Sequence, residues 1–242
     1  MKLTRSALAL TVGALAPALL LATPALAAGS AAAAPAKVAA VTAGESPYDT
    51  MSDAELRAEV TRILATNPGK GVTQEANKAL AGTTEDVRTF LKTGLAKAQD
   101  DDNKVAILKI LFGKPGKGVT REANAALNGT PADRIAFLAT GFAKAQDEDN
   151  MVAIGRILFA NPSTGKAVKR EANKALDGTP ADRTAFLKTG LRLAQAEDDR
   201  VDVGRILARP GISEALRAAA RKVVDGTPEE LRHFITVGQY QV

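Results

Sequence analysis

The sequence predicts an all-α helical repeat protein, similar to an α-solenoid, and two observations predict it. First, a Gly-Thr start, a Phe and a late Gly recur four times in fixed register, beginning at Gly82, Gly129, Gly178 and Gly226. These starts are 47, 49 and 48 residues apart, a period typical of stacked helical units. Second, apolar residues within each copy recur at helical spacing. We therefore predict four three-helix units of about 47–49 residues, the repeats, over residues 51–98, 99–145, 146–194 and 195–242.

The second repeat shows the predicted helices most clearly. They cover residues 103–112, 119–127 and 131–145, with a Lys-Pro-Gly-Lys-Gly turn between the first two. The middle helix has a single apolar stripe at positions i, i+4, i+7 and i+8, formed by Val119, Ala123, Ala126 and Leu127. Three helices in each of four repeats predict twelve helices in all.

The Gly-Thr-Pro sequence predicts a sharp turn, here called the Gly-Thr-Pro corner, between the second and third helices of each repeat. We expect Gly129 to end one helix in the left-handed conformation and Thr130 to cap the next. Pro131 suits the first helical position, and Asp133 can return a bond to the cap in a capping box. The equivalent acids in the other repeats are Asp86, Asp182 and Glu230.

Each repeat carries one Phe at the same place and a Gly four residues later. We predict that the four rings, Phe90, Phe137, Phe186 and Phe234, are buried in the core. The glycines are expected where a neighbouring helix crosses closely, and the alternative is the close approach of a ligand. They are Gly94, Gly141, Gly190 and Gly238.

The N-terminus predicts export. Lys2 and Arg5 precede a short apolar run, and small residues then suit cleavage between Ala27 and Ala28, so residues 1–27 are predicted to be a signal peptide. The alternative is an uncleaved membrane anchor. Residues 28–50, rich in Ala, Gly, Ser and Pro, are expected to be a flexible tether. We expect a secreted protein that does not enter a membrane after cleavage.

Composition excludes several kinds of chemistry. The chain has no Cys, so it has neither disulfides nor thiolate metal sites, and we expect no cofactor. His233 is its only histidine and replaces a small residue of the other repeats, which favours a polar substitution in the last repeat over a catalytic role. The net charge of +5 is spread thinly along the chain, and no aromatic residues are interleaved with the basic ones. Both features argue against nucleic-acid binding.

Acidic runs occur before the predicted first helices, at residues 100–102, 147–149 and 197–199. A calcium loop of the EF-hand type needs oxygen ligands at alternate positions and a Glu at the twelfth, and the runs lack both. We expect the acids to complement the partial positive charge of a helix N-terminus.

Two repeated polar sets are candidate partner-binding residues. Lys70, Lys117 and Lys166 follow glycines in the turns, which lack the strand and the Ser or Thr of a phosphate loop. A Glu-Ala-Asn ladder places the second set at Glu75, Asn77, Glu122, Asn124, Glu171 and Asn173. The ladder either bonds one repeat to the next or lines a binding face.

The motif Gly-Thr-Pro-Ala-Asp-Arg-x-Ala-Phe-Leu-x-Thr-Gly, preceded by Glu-Ala-Asn-x-Ala-Leu, resembles the ALF short repeats over residues 53–238. The resemblance implies a secreted actinobacterial protein of unknown activity and implies no catalytic residue. We expect a non-enzymatic interaction or scaffold module, because stacked repeats present long surfaces. Its expected partner is an unidentified protein or cell-surface macromolecule. The alternatives are a cell-envelope hydrolase and the presentation arm of a secreted toxin system.

Overall fold

The structure, a computed structural model, describes residues 46–159 and 164–242. Every regular element in these residues is helical, which confirms the predicted all-α helical repeat class. The predicted signal peptide and residues 28–45 of the predicted tether lie outside the described residues.

Twelve α-helical segments follow one another along the chain. They are α1 (Asp53–Ala65), α2 (Lys70–Ala81), α3 (Thr84–Thr89), α4 (Leu95–Phe112), α5 (Lys117–Asn128), α6 (Pro131–Ala136), α7 (Phe142–Phe159), α8 (Lys166–Asp177), α9 (Pro180–Ala185), α10 (Leu191–Leu207), α11 (Glu214–Val223) and α12 (Pro228–Thr236). Short 3₁₀ helices cover Pro47–Asp49 and Gly238–Tyr240. Three π-helical turns cover Phe90–Gly94, Phe137–Gly141 and Phe186–Gly190.

The π-helical turns join α3 to α4, α6 to α7 and α9 to α10 without a break, so the described residues form nine continuous helices. The expectation of twelve separate helices is therefore wrong, because the third helix of one repeat runs into the first helix of the next. No Gly or Pro occurs between Leu95 and Phe112 to end the helix there.

The chain forms two compact bodies, one ending at Asp102 and the other beginning at Asn103. In the first body, Leu56, Val60 and Phe90 belong to a buried core against which Tyr48 packs. Arg88 Nε donates to the Tyr48 carbonyl oxygen at 3.0 Å. Residues 46–50, which the sequence assigns to the tether, thus contact the first repeat.

The second body repeats one core arrangement. Val119, Ala123 and Ala126 are buried on the predicted face of α5 and pack with Phe137. All four repeated Phe rings are 5–6 % exposed, which confirms their placement in the core. Because most of their neighbours are Ala, Val, Ile and Leu, each ring supplies a large share of the apolar area buried in its repeat.

The capping boxes at the Gly-Thr-Pro corners are confirmed in all four repeats. In the second, Thr130 N donates to Asp133 Oδ2 at 2.7 Å. Gly129, however, has φ −85° rather than the expected left-handed conformation. A side chain is excluded there because a Cβ would lie 2.6 Å from Asp133 Oδ2.

The glycine after each Phe does not mark a helix crossing. A Cβ on Gly141 would meet the ring of Phe137 at 3.2 Å, and Gly94, Gly190 and Gly238 face the Phe of their own repeat in the same way. The prediction of a close neighbouring helix was therefore wrong. In the first three repeats, the glycine lets the π-helical turn fold over the ring four residues before it.

In two repeats, a buried arginine donates hydrogen bonds to carbonyl oxygens at the C-terminal end of the second helix. Arg183 Nη1 donates to the carbonyl oxygens of Leu176 and Gly178, and its other nitrogens pair with Asp147 at 2.6–2.7 Å. That pairing lowers the pKa of the Asp147 carboxyl. In the second repeat, Arg134 Nη1 likewise donates to the carbonyl oxygens of Leu127 and Gly129, at 3.2 and 2.8 Å. The Arg of the Gly-Thr-Pro-Ala-Asp-Arg sequence is therefore structural.

One aspartate of each acidic run caps a helix about thirty residues earlier in the chain. Asp149 accepts hydrogen bonds from the backbone N–H groups of Gly118 and Val119, at 2.7 and 2.9 Å, at the start of α5. Asp102 and Asp198 cap α2 and α8 identically. The acids do complement helix N-termini, as expected, but those of the second helices rather than the first.

Replacing Gly116 by Ala is expected to lower the free energy of unfolding by about 1–3 kcal/mol, the usual cost of overpacking. A Cβ on Gly116 would lie 2.3 Å from the carboxyl carbon of Asp149 and displace the cap of α5. Chemical denaturation measures the change. Gly155→Ala is the control, because a Cβ there meets nothing within 4 Å and removal of a helix-interior glycine stabilises by about 1 kcal/mol. Equal effects of the two substitutions would contradict this account of the cap.

Candidate functional site

The three turn lysines, Lys70, Lys117 and Lys166, occupy the first positions of α2, α5 and α8. Their side chains are exposed, and none forms a hydrogen bond or ion pair within the described residues. The helix macrodipole disfavours a cation at this end, and the aspartate that caps each helix offsets the repulsion. The lysines are therefore accessible cations in a repeated position.

The six ladder residues lie on the solvent-facing sides of α2, α5 and α8. Asn124 Nδ2 donates to the Thr120 carbonyl oxygen of its own helix at 2.8 Å. Glu122 accepts a bond from Arg121 Nε at 2.9 Å, and Glu171 pairs in the same way with the residue before it. Within residues 103–159 and 164–242, the ladder forms no bonds between α5 and α8, so the structural alternative is not found there.

Two arginines that the sequence reasoning did not single out neutralise the ladder acids. Arg121 also contacts Glu148 on α7 at 3.2 Å, and Arg170 contacts Glu197 on α10 at 2.8 Å. The hydrogen bond to Glu197 raises the pKa of Arg170 above its ordinary value. Because these acids already have cationic partners, the ladder has less charge to offer a partner than the lysines have.

The most exposed large apolar side chains of the second body are two phenylalanines at the same repeat position. Phe112 ends α4 and is 89 % exposed, and Phe159 ends α7 and is 85 % exposed. The counterparts in the outer repeats are Ala65 and Ala208. Comparison of the repeats position by position would have found this difference, but helical spacing alone did not distinguish these rings from the buried ones.

These rings belong to an apolar face with helical spacing. On α4, Val105, Leu108 and Phe112 occupy positions i, i+3 and i+7, and on α7, Val152 and Phe159 take the matching positions. The three aliphatic side chains are each about half exposed. We call these five residues the exposed apolar face. Several exposed apolar residues on one side of a helix mark an interaction surface more often than scattered single ones.

On each of these two helices, one basic residue lies on the side that carries the exposed apolar residues. It directly follows Leu108 on α4 and the equivalent residue, Gly155, on α7. These basic residues are Lys109 on α4 and Arg156 on α7. Both are exposed, and neither has a hydrogen-bond or ion-pair partner within the part of the chain that the structure describes. The exposed apolar face is thus accompanied by uncompensated positive charge.

A buried ion pair distinguishes the fourth repeat. Asp199 is 1 % exposed and lines an open depression of about 670 Å³, and its Oδ1 lies 2.9 Å from Arg232 Nη2. Asp199 Oδ2 has no hydrogen-bond partner within the described residues. In the third repeat the same two positions are Asn150 and Thr184, which form a neutral hydrogen bond of 3.1 Å.

Burial raises the pKa of the Asp199 carboxyl, although the positive charge of Arg232 opposes the rise. A carboxyl whose pKa is higher in the folded than in the unfolded chain favours folding at low pH. That contribution is lost as pH rises from the unfolded value of about 4 through the folded value. Ionised Asp199 at neutral pH therefore contributes less to the stability of the fourth repeat than protonated Asp199 does at low pH.

We expect Asp199→Asn to raise the free energy of unfolding at pH 7, because the amide carries no charge to bury and the Arg232 side chain, 40 % exposed, remains in contact with solvent. The gain should shrink as the pH is lowered toward 4. Denaturant unfolding across this pH range measures it, with Asp199→Asn/Arg232→Thr as the control that copies the Asn150 and Thr184 pair. A loss of stability in both variants at pH 7 would show that the ion pair stabilises the fold.

The described residues contain no group of three or more His, Cys, Asp or Glu side chains that could hold a metal ion. His233 is exposed on α12. In the depression beside Asp199, Asp202 is already paired with Arg205 at 2.6 Å. Among residues 46–159 and 164–242, no helix is both long and apolar enough to cross a membrane.

A family model described as short repeats of unknown function matches the chain four times. The matches cover residues 57–98, 104–145, 152–194 and 200–242, which together make up more than half of the sequence. No curated protein matches the chain.

Proposed function

The chain belongs to the ALF family of short repeats, whose function is unknown, and we propose that this member is a secreted macromolecular interaction module. Its partner is an unidentified protein or cell-surface macromolecule. Export is supported by the signal-peptide pattern of residues 1–27.

The observation that carries the proposal is the combination of exposed apolar and cationic side chains near the turns that follow the first helices. Phe112 lies five residues before Lys117, and Phe159 lies seven before Lys166. The rings are almost fully exposed, and the lysines have no partner within the described residues. Burying two phenylalanine rings against a partner supplies apolar contact area, and the lysines add attraction to acidic groups.

Catalysis is less well supported than binding. Asp199, whose Oδ2 lacks a hydrogen-bond partner within the described residues, lines one depression, but it has almost no surface to offer a substrate. The carboxylates that line this depression already contact an arginine or backbone N–H groups. A hydrolase with two carboxylates needs both to reach the substrate. We propose that the chain is not an enzyme and needs no cofactor.

A capture experiment tests the proposal. The purified mature chain is immobilised and exposed to culture-surface material, alongside the triple variant Lys70→Ala/Lys117→Ala/Lys166→Ala and the ladder variant Glu122→Ala/Asn124→Ala. We expect the lysine variant to retain markedly less material and the ladder variant to retain nearly all of it. A second triple variant, Lys97→Ala/Lys144→Ala/Lys174→Ala, removes the same charge from other exposed sites and is the control.

Three outcomes contradict the proposal. Failure of the wild-type chain to retain any macromolecule removes the basis for a binding role. Equal loss in both lysine triples would mean that net charge, rather than the turn position, drives retention. Release of a low-molecular-weight product from the retained material would favour the hydrolase alternative.

A further inference from the structure

Two helix-interior glycines have no structural explanation in the described chain. A Cβ on Gly155 of α7 or Gly204 of α10 would meet nothing within 4 Å, whereas those on Gly116 and Gly165 would clash with a capping aspartate. A glycine inside a helix weakens the helix relative to alanine. The two occupy the same position in consecutive repeats, 49 residues apart. Packing among residues 46–159 and 164–242 therefore does not account for the missing side chains.

Gly155 lies between the two residues that α7 contributes to the exposed apolar face. Val152, Gly155 and Phe159 occupy positions i, i+3 and i+7 of α7, and Arg156 adjoins the glycine on the same side. The result is a notch one residue wide between two exposed apolar side chains. On α10, Val201 and Gly204 repeat the first half of the pattern, and Arg205 follows.

We propose that this notch receives an acidic amphipathic α-helix of a partner protein, which crosses α7 at Gly155. The inference rests on the proposed function and names the partner's chemistry. Absence of a side chain allows the backbone of another element to come close. Val152 and Phe159 lie about one turn to either side of Gly155. These two apolar side chains fit a partner helix that presents apolar residues at positions i, i+3, i+4 and i+7.

The uncompensated cations near the notch indicate that the partner helix is negatively charged. Arg156 and Lys109 have no counter-ion within the described residues, and Lys166 begins the next helix. An apolar partner lacking acids would leave these cations close to a dry interface without compensation. Glutamates flanking the apolar stripe of a partner helix would pair with them at the rim.

Two other occupants fit less well. A second copy that used the same face in a two-fold dimer would bring Arg156 and Lys109 against their own counterparts, and like charges oppose such pairing. Residues 28–45, which remain after the predicted cleavage, contain one cation, Lys37, and one acid, Glu45. That segment has no net negative charge to offer the cations beside the notch.

The test is a fluorescence-anisotropy titration of the full mature chain with three labelled synthetic peptides of about 20 residues, long enough to form a helix. One places Leu on one face and Glu on the other, the second replaces each Glu by Lys, and the third breaks the acidic helix with proline. We expect the acidic helix to bind at least tenfold more tightly than the other two. Its affinity should fall as salt is added.

Variants of the chain locate the binding site. Gly155→Leu is expected to weaken binding of the acidic helix at least tenfold while leaving the thermal midpoint unchanged or higher. Gly155→Ala, the smaller change, should weaken it less. Phe159→Ala should also weaken binding, whereas Ile135→Ala, which truncates a 54 % exposed side chain on α6, should not. If Gly155→Leu binds the peptide less tightly but keeps its thermal midpoint, the added side chain blocks the partner helix and the variant has not unfolded.

The remaining outcomes overturn the inference. Equal binding of the acidic and basic helices, full binding by Gly155→Leu, or preference for phosphatidylglycerol vesicles over the acidic peptide each exclude it. If no peptide binds while culture-surface material is still captured, the helix inference fails and the proposed function survives. If neither binds, both fail.

Discussion

Replacing Phe137 by Ala is expected to lower the free energy of unfolding by about 3–5 kcal/mol, the usual cost of truncating a buried aromatic side chain. The ring is 5 % exposed and packs against Val119, Ala123 and Ala126 of α5. Those small neighbours have little freedom to move into the vacated volume, because each is already fixed on its helix. Denaturant unfolding monitored by circular dichroism measures the loss.

Phe112→Ala is the matched control, since it removes the same ring from the same repeat at an 89 % exposed position. Its effect on stability should be within about 0.5 kcal/mol, as for other surface substitutions. If the two variants lose similar stability, the assignment of one Phe to the core and the other to a binding surface is incorrect.

Replacing Asp149 by Ala is expected to cost about 3 kcal/mol. Two partly buried backbone N–H groups, those of Gly118 and Val119, lose their acceptor, and each unsatisfied group costs about 1–3 kcal/mol. Solvent reaches the partly buried site and limits the total. Asp149→Asn should fall between wild type and Asp149→Ala, because the amide retains one acceptor oxygen.

The neighbouring acid is the control for this substitution. Glu148 is exposed and makes only a surface ion pair with Arg121, so Glu148→Ala should change stability by less than about 0.5 kcal/mol. The prediction fails if the two substitutions are equivalent, because the acidic run would then act through its overall charge rather than through one capping carboxylate. Thermal melts of both variants at the same ionic strength make the comparison.

The sequence was sufficient for features that depend on neighbouring residues. The capping box of Thr130 and Asp133 involves two residues three positions apart, and the structure contains it. The apolar stripe of α5 follows from helical spacing alone. The core position of Phe137 was predictable because the repeat carries only one aromatic residue at that register.

Features that depend on distant residues were not predicted. The bond between Asp149 and Gly118 joins residues 31 positions apart, and nothing in the local sequence indicates which of three consecutive acids turns inward. The continuity of α7 was also missed, because the acidic run at residues 147–149 suggested the start of a new helix, whereas α7 runs unbroken from Phe142 to Phe159.

Exposure was the main difficulty in predicting the site. Helical spacing indicates that Val152 and Phe159 share one side of α7, but it does not indicate whether another element covers that side. The lysines were found because their turns are visibly repeated. The apolar face was overlooked because Val and Phe, in a repeat protein, are expected in the core.

The central claim is that the buried residues common to the repeats build the fold, whereas the exposed apolar face and the turn lysines bind the partner. Capture of culture-surface material by the double variant Phe112→Ala/Phe159→Ala, with its thermal midpoint recorded on the same preparation, tests it most directly. The account predicts at least a tenfold loss of captured material at an unchanged midpoint. Undiminished capture by the folded double variant would contradict it.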